Sequence, residues 1–126
     1  MKIVAAQDVP AQQVQMEGAV GCTVRWLVDE GDGAPNFAMR QFEVAPGGHT
    51  PKHHHPYEHE VYVLSGRGEV LQGDRPHPIQ PGDVIYVAPD EVHQFRNTGQ
   101  EPLRFLCLVP HGAKRPGQVK ADCDPQ

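Results

Sequence analysis

The chain is poor in aromatic volume, with four Phe, three Tyr and one Trp in 126 residues. Its hydrophobic fraction of 38 % lies below the globular norm of about 45–50 %. That inventory supports one core rather than two, and a monomer would bury little apolar surface, which points to a homodimer. Only three cysteines occur, Cys22, Cys107 and Cys123; an odd, widely spaced set excludes a disulfide framework. Basic residues number 11 against 16 acidic, a net charge of -5 with no Lys/Arg cluster, so nucleic acid and anionic membrane surfaces are excluded as partners. The apolar run Phe105–Val109 spans five residues and none is longer, far short of a membrane-crossing helix. The opening MKIVAAQDVPAQQ lacks the apolar segment of an export signal, and a cytoplasmic location is expected. No Gly-rich phosphate loop and no flavin or nicotinamide fingerprint is present.

Glycine and proline are abundant, at 13 residues each. They separate strand-length segments throughout and leave no helical window. The predicted strands are Val20–Val28, Phe37–Val44, Glu58–Ser65, Glu69–Gln72, His77–Gln80, Val84–Ala88, Val92–Arg96 and Leu103–Val109, with a short extended piece over His49–His55. Such a pattern predicts an all-β sandwich or barrel, with no helix longer than about two turns. Residues 1–19 read as an N-terminal arm or edge strand and 20–109 as the barrel. Residues 110–126 read as a polar, mobile tail.

Histidine is concentrated. Of eight in the chain, four fall between His53 and His59. In an extended segment, side chains alternate faces, so His53 and His55 point one way and His54 the other. After the turn at Pro56, His59 opens a strand whose inward face is shared by Val61 and Val63, while Glu60 points outward. His93 opens another strand with Phe95 on its face. Imidazoles from neighbouring strands can converge on a metal ion at about 2.0–2.1 Å.

The stretch Gly47-GHTPK-His53-H-His55-PYE-His59-EVYVLS-Gly66 resembles the first motif of the cupin superfamily, and Gly82-Asp83-VIYVAPDEV-His93-QFR-Asn97 resembles the second. Fifteen residues, Arg67 to Pro81, separate them. The resemblance implies a cupin-type double-stranded β-helix, a jelly-roll barrel, with His53, His55, His59 and His93 as metal ligands. Two departures stand out. The usual glutamate ligand position falls on His59, and Asp90 occupies a place where glycine is usual; Asp tolerates the left-handed backbone that glycine supplies. The pattern is similar to small bacterial cupins that bind manganese through four His, which implies Mn(2+). Imidazole-only ligation suits Fe, Ni, Cu and Zn as well. The alternative register makes Glu60 the ligand and His59 a surface group.

Around the site, Phe95 and Phe105 are candidate pocket walls. Cys107 shares strand parity with Phe105 and Val109 and reads as a small buried filler; the resemblance to the small cupins implies instead a cavity-facing residue that does not ligate. Arg40 reads as a surface residue; turned inward, it could hold a carboxylate bidentately. His54, His77 and His111 are expected to be solvated, and Tyr62 and Leu64 to face away from the site. Four ligands on an octahedral ion leave two positions open. The expected function is a metal-dependent oxidoreductase of dioxygenase type acting on a small organic substrate. The alternatives are a metal-dependent isomerase or lyase, and a non-enzymatic small-molecule binding cupin.

Overall fold

The structure is a computed structural model that describes residues 1–111; the predicted tail beyond His111, with Cys123, lies outside them. Nine strands and two single 3₁₀ turns, Ala6–Asp8 and Glu30–Asp32, make up the described chain. The strands are β1 (Gln12–Gln13), β2 (Val20–Val28), β3 (Phe37–His49), β4 (His59–Ser65), β5 (Gly68–Gln72), β6 (Arg75–Ile79), β7 (Val84–Val87), β8 (His93–Asn97) and β9 (Leu103–Pro110). The predicted strands are all present, within a residue or two at most ends. None of the described helical segments exceeds three residues, and none is long and apolar enough to cross a membrane.

The strands form one antiparallel sheet in the order β6-β5-β8-β3-β9-β4-β7, with β2 pairing to both β1 and β3. β3 is thirteen residues long and continues through Pro46-Gly47-Gly48, where sequence reading ends the strand, with a register shift against β2 there. Glycine is what allows this. A Cβ on Gly48 would lie 2.4 Å from the Val20 carbonyl oxygen, so β2 and β3 stay close only because none is there. The long strand therefore serves two halves of the sheet. It pairs with β9 from Phe37 to Val44 and then reaches β8 through His49 and Arg96.

The sheet curls so that its two ends approach, giving an open half-barrel. Among the described residues no ladder joins β6 to β7, and a cleft of about 340 Å³ lies between them. β6 carries Pro76 and Pro78 on this edge, the place where a strand tolerates missing N–H groups.

Alternation sets the core. On β9, Leu103, Phe105, Cys107 and Val109 are buried; on β4, His59, Val61 and Val63 are, while Tyr62 and Leu64 are exposed as expected. Val24, Val44 and Val63 are wholly excluded from solvent. The strand ends are sealed by side chains. Asn97 donates to the carbonyls of Val44 (2.8 Å) and Glu101 (2.7 Å) and accepts from Gly99 N–H at 2.8 Å. Asp83 accepts from Gln80 N–H at 2.9 Å. Asp90 takes φ +64°, the left-handed conformation its position requires. The C-terminal boundary differs from expectation: Pro110 completes β9, and His111 is buried, donating to the Ala34 carbonyl at 2.7 Å.

Candidate metal centre

Three chain segments bring the histidines together. The backbones of His53 and His93 exchange both hydrogen bonds, 3.1 and 2.9 Å, which fixes two of the rings side by side. His55 follows on the same face of the extended segment, and His59 starts β4. One nitrogen each from His53, His55 and His93 lies within 4.8 Å of the others. A metal bonded at about 2.0–2.1 Å holds neighbouring ligand nitrogens about 3 Å apart, so the rings would close in on binding. His59 stands beside this trio, inward and buried, its ring 4.5 Å from that of His55 and 5.3 Å from that of His93. Its nitrogens are not among the three that meet. Glu60 is exposed, on the opposite face.

Two rings are held in a defined tautomer. His55 Nδ1 donates to the Tyr57 carbonyl and His93 Nδ1 to the Glu91 carbonyl, both at 2.8 Å. In each ring the lone pair then falls on Nε2, the arrangement by which proteins aim metal-ligating imidazoles. His93 Nε2 is buried and has no hydrogen-bond partner among the described residues, a costly placement unless something else is coordinated there. The donor set and this orphaned atom fit a divalent metal.

Electrostatics keep the imidazoles neutral. Burial pushes His53 down to about 3 and His55 down to about 4, helped by the neighbouring imidazoles and Arg40. His59 and His93 are lowered as well, again chiefly by burial. Neutral imidazole is the form that binds metal.

Behind the rings lies a chamber of about 20 Å³ lined by Phe42, Phe95, Phe105 and Cys107 together with His53, His59 and His93, about the space of one water. Phe105 stacks on Phe42 at 5.4 Å and on Phe95 at 4.6 Å. Val14, from the N-terminal arm, closes another wall. The arm is tied down by β1 and by hydrogen bonds from Arg25 to the carbonyls of Gln7 and Val9. Arg40 corrects the sequence reading: it is not a surface residue but fully buried, on the inward face of β3 between Ala38 and Phe42. Its Nη2 donates to Cys107 Sγ at 3.1 Å. Burial raises the Cys107 thiol pKa, and the guanidinium works against that rise.

Sequence reasoning missed Tyr57, whose ring stacks on His55 at 4.0 Å, and Val14. Neither sits in a periodic pattern that marks it. Arg40 had a signal, since it shares parity with Phe42 and Val44.

A family model described as the cupin domain matches residues 40–109. The chain belongs to the cupin family. Over its whole length this cupin resembles Protein SchB of Streptomyces halstedii, at 37 % identity over 98 % of this chain and 87 % of SchB. Among solved structures, it is similar to the polyketide cyclase RemF from Streptomyces resistomycificus, with a TM-score of 0.83 and 40 % identity over 87 % of this chain and 79 % of that one. It is also 36 % identical to the 1-methylthio-D-xylulose 5-phosphate methylsulfurylase of Rhodospirillum rubrum, over 68 % of this cupin and 54 % of that enzyme. The chain thus spans about half the length of that relative. The names of such relatives differ in chemistry, so the cupin domain is common ground and an oxidoreductase activity is not; the metal-binding potential rests on this chain's own histidine cluster.

Proposed function

We propose that this cupin holds a divalent metal, manganese first, on His53, His55, His59 and His93, and uses it on a small polyoxygenated substrate in chemistry of the isomerase or lyase kind. A ring closure like that named for RemF is the best model, because the likeness to RemF covers most of both chains. The observation that carries the metal centre is the buried, unpartnered Nε2 of His93 facing nitrogens of His53 and His55. A bound divalent ion supplies Lewis-acid polarisation of a carbonyl oxygen. The protein's part is positional. The carbonyls of Tyr57 and Glu91 hold His55 and His93 in the ligating tautomer. Phe42, Phe95 and Phe105 keep water from the inner side, so that charge acts in a low-dielectric setting.

A dioxygenase-type oxidoreductase is the second reading. The small chamber against His53, His59 and His93 favours it, being of a size for a diatomic molecule. The test begins with metal content of the purified protein and of His93→Ala by plasma mass spectrometry. About one ion per chain is expected in the first and a clear deficit in the second. The loaded protein is then given a synthetic poly-β-ketone thioester under an oxygen electrode. Loss of water with ring closure and no oxygen uptake is the expected result. Oxygen uptake with an oxygenated product would transfer the assignment to the second reading, and a metal-free wild type that cannot be loaded would refute both.

A further inference from the structure

We propose that the cleft between β6 and β7 is the substrate-binding site of this cupin, and that its ligand is a neutral, hydroxylated ring compound rather than an acid or a phosphate ester. The inference rests on the metal-centre reading above and adds to it the place and the class of the substrate.

Two spaces border the histidines, and they differ in what they can hold. The chamber beside Phe95 and Phe105 measures about 20 Å³, room for about one water. The cleft measures about 340 Å³, within the range of about 300–1,000 Å³ typical of small-molecule sites. His93 lines both. Of the two, only the cleft admits an organic ligand. The fold explains why a hollow is there. β6 and β7 end the main strand order without pairing to each other, so Val70, Ile79 and Val87, buried residues of the core, also line the gap between them.

The polar part of the lining is an ordered chain on the His93 side. Gln72 stands opposite His93 in the β5–β8 ladder. His77 Nε2 donates to Gln72 Oε1 at 3.0 Å, and Gln72 Nε2 donates to Glu91 Oε2 at 2.9 Å. Glu91 Oε1 accepts from the Ala88 N–H at 3.2 Å. Because an amide oxygen only accepts, His77 carries a proton on Nε2, and its neutral ring keeps a lone pair on Nδ1. The chain thus spends its donors internally and leaves acceptors over: His77 Nδ1 and the remaining lone pairs of Glu91. Asp83, whose Oδ2 accepts from the Gln80 N–H, adds a second carboxylate to the lining. Such a surface is answered by a ligand that brings O–H groups. Charge points the same way. The described lining holds two carboxylates and neither lysine nor arginine, so an anionic ligand would meet repulsion with no countercharge. A ring bearing hydroxyls offers apolar faces to Val70, Ile79 and Val87 and a donor edge to the chain. An open sugar, polar on all sides, does not.

The probes are phloroglucinol, a neutral ring with three hydroxyls that does not chelate metal, and 3,5-dihydroxybenzoate, in which one hydroxyl gives way to a carboxylate. Backbone amide shifts are followed by NMR during titration of chelator-treated wild type, Gln72→Met and His77→Leu, with the Tm recorded for each. Saturable shifts centred on Val70, Ile79 and Ile85 are expected with phloroglucinol, and dihydroxybenzoate should bind about ten-fold more weakly. Each substitution breaks the polar chain at an exposed or half-buried position. Phloroglucinol affinity should then fall about three- to ten-fold, with Tm unchanged. Equal or tighter binding of dihydroxybenzoate would overturn the proposal. So would an unchanged affinity in both variants, shifts confined to another face, or no saturable shift in the wild type. A second series repeats the titration after loading with zinc. If the protein takes up no metal, the metal reading fails by itself, and the chelator-treated series still decides the cleft on the same criteria.

Discussion

His59 separates two centres that the chain can build, one of three imidazoles and one of four. Its ring lies 4.5 Å from His55 and 5.3 Å from His93, so a small rotation brings a nitrogen to an ion held by the other three. In His59→Ala the fold is expected to survive, because Val61 and Val63 still anchor β4 in the core. Metal affinity is expected to drop sharply. Four-ligand structural zinc sites bind with about 10–16 kcal/mol, or about 3 kcal/mol per ligand, which is about two orders of magnitude in Kd. Glu60→Ala should leave metal affinity unchanged, since Glu60 lies on the outer face. There it is pushed up to about 7 by desolvation and by the adjacent Glu58, and removing it relieves a like-charge contact. Competition titration with a chelating metal indicator measures both variants. An unchanged Kd in His59→Ala would reduce the centre to His53, His55 and His93; loss in Glu60→Ala instead would mean the strand is shifted by one residue and the geometry described above is wrong.

Acid should destabilise the metal-free protein. His53 and His55 sit at about 3 and about 4 against an ordinary 6.5, mainly through burial, so below pH 6.5 the unfolded chain takes up protons that the folded chain refuses. Stability tied to these rings is complete above about pH 6.5 and lost as pH falls toward their lowered values; a Tm constant from pH 8 to pH 4.5 would contradict this. Phe105→Ala removes a ring that is 1 % exposed and stacked on two others. It should cost about 3–5 kcal/mol in urea unfolding, and a loss under 1 kcal/mol would show that the chamber wall collapses to fill the space.

Much of this was legible because turns and parity are local properties. Gly and Pro clusters delimit the strands, and alternation sends His59 inward and Glu60 outward without reference to any partner strand. Asp90 could be read as a left-handed turn residue for the same reason. What escaped depends on contacts far apart in the chain. The continuation of β3 through Gly48 is decided by how closely Val20 approaches it. The burial of His111 is decided by the Ala34 carbonyl, 77 residues away. Arg40 failed differently. Its parity with Phe42 and Val44 pointed inward, but charge argued for solvent, and contacts distant in sequence, the Trp26 ring and Cys107 Sγ among them, help accommodate a guanidinium there.

The prolines of β6 have a consequence for how copies of this molecule meet. The main strand order ends in two free edges, β6 and β7, and strand addition from one molecule's β7 to the next one's β6 would generate a head-to-tail fibre with no natural end. Pro76 and Pro78 share one parity on β6, so the two amide hydrogens they lack are missing from the same side of the strand. Since the other side is paired with β5 throughout, the loss falls on the free edge. Any chain docking there would find carbonyls to donate to but too few donors in return. Runaway polymerisation is thereby blocked at one terminus, while β7 keeps a full set of backbone groups.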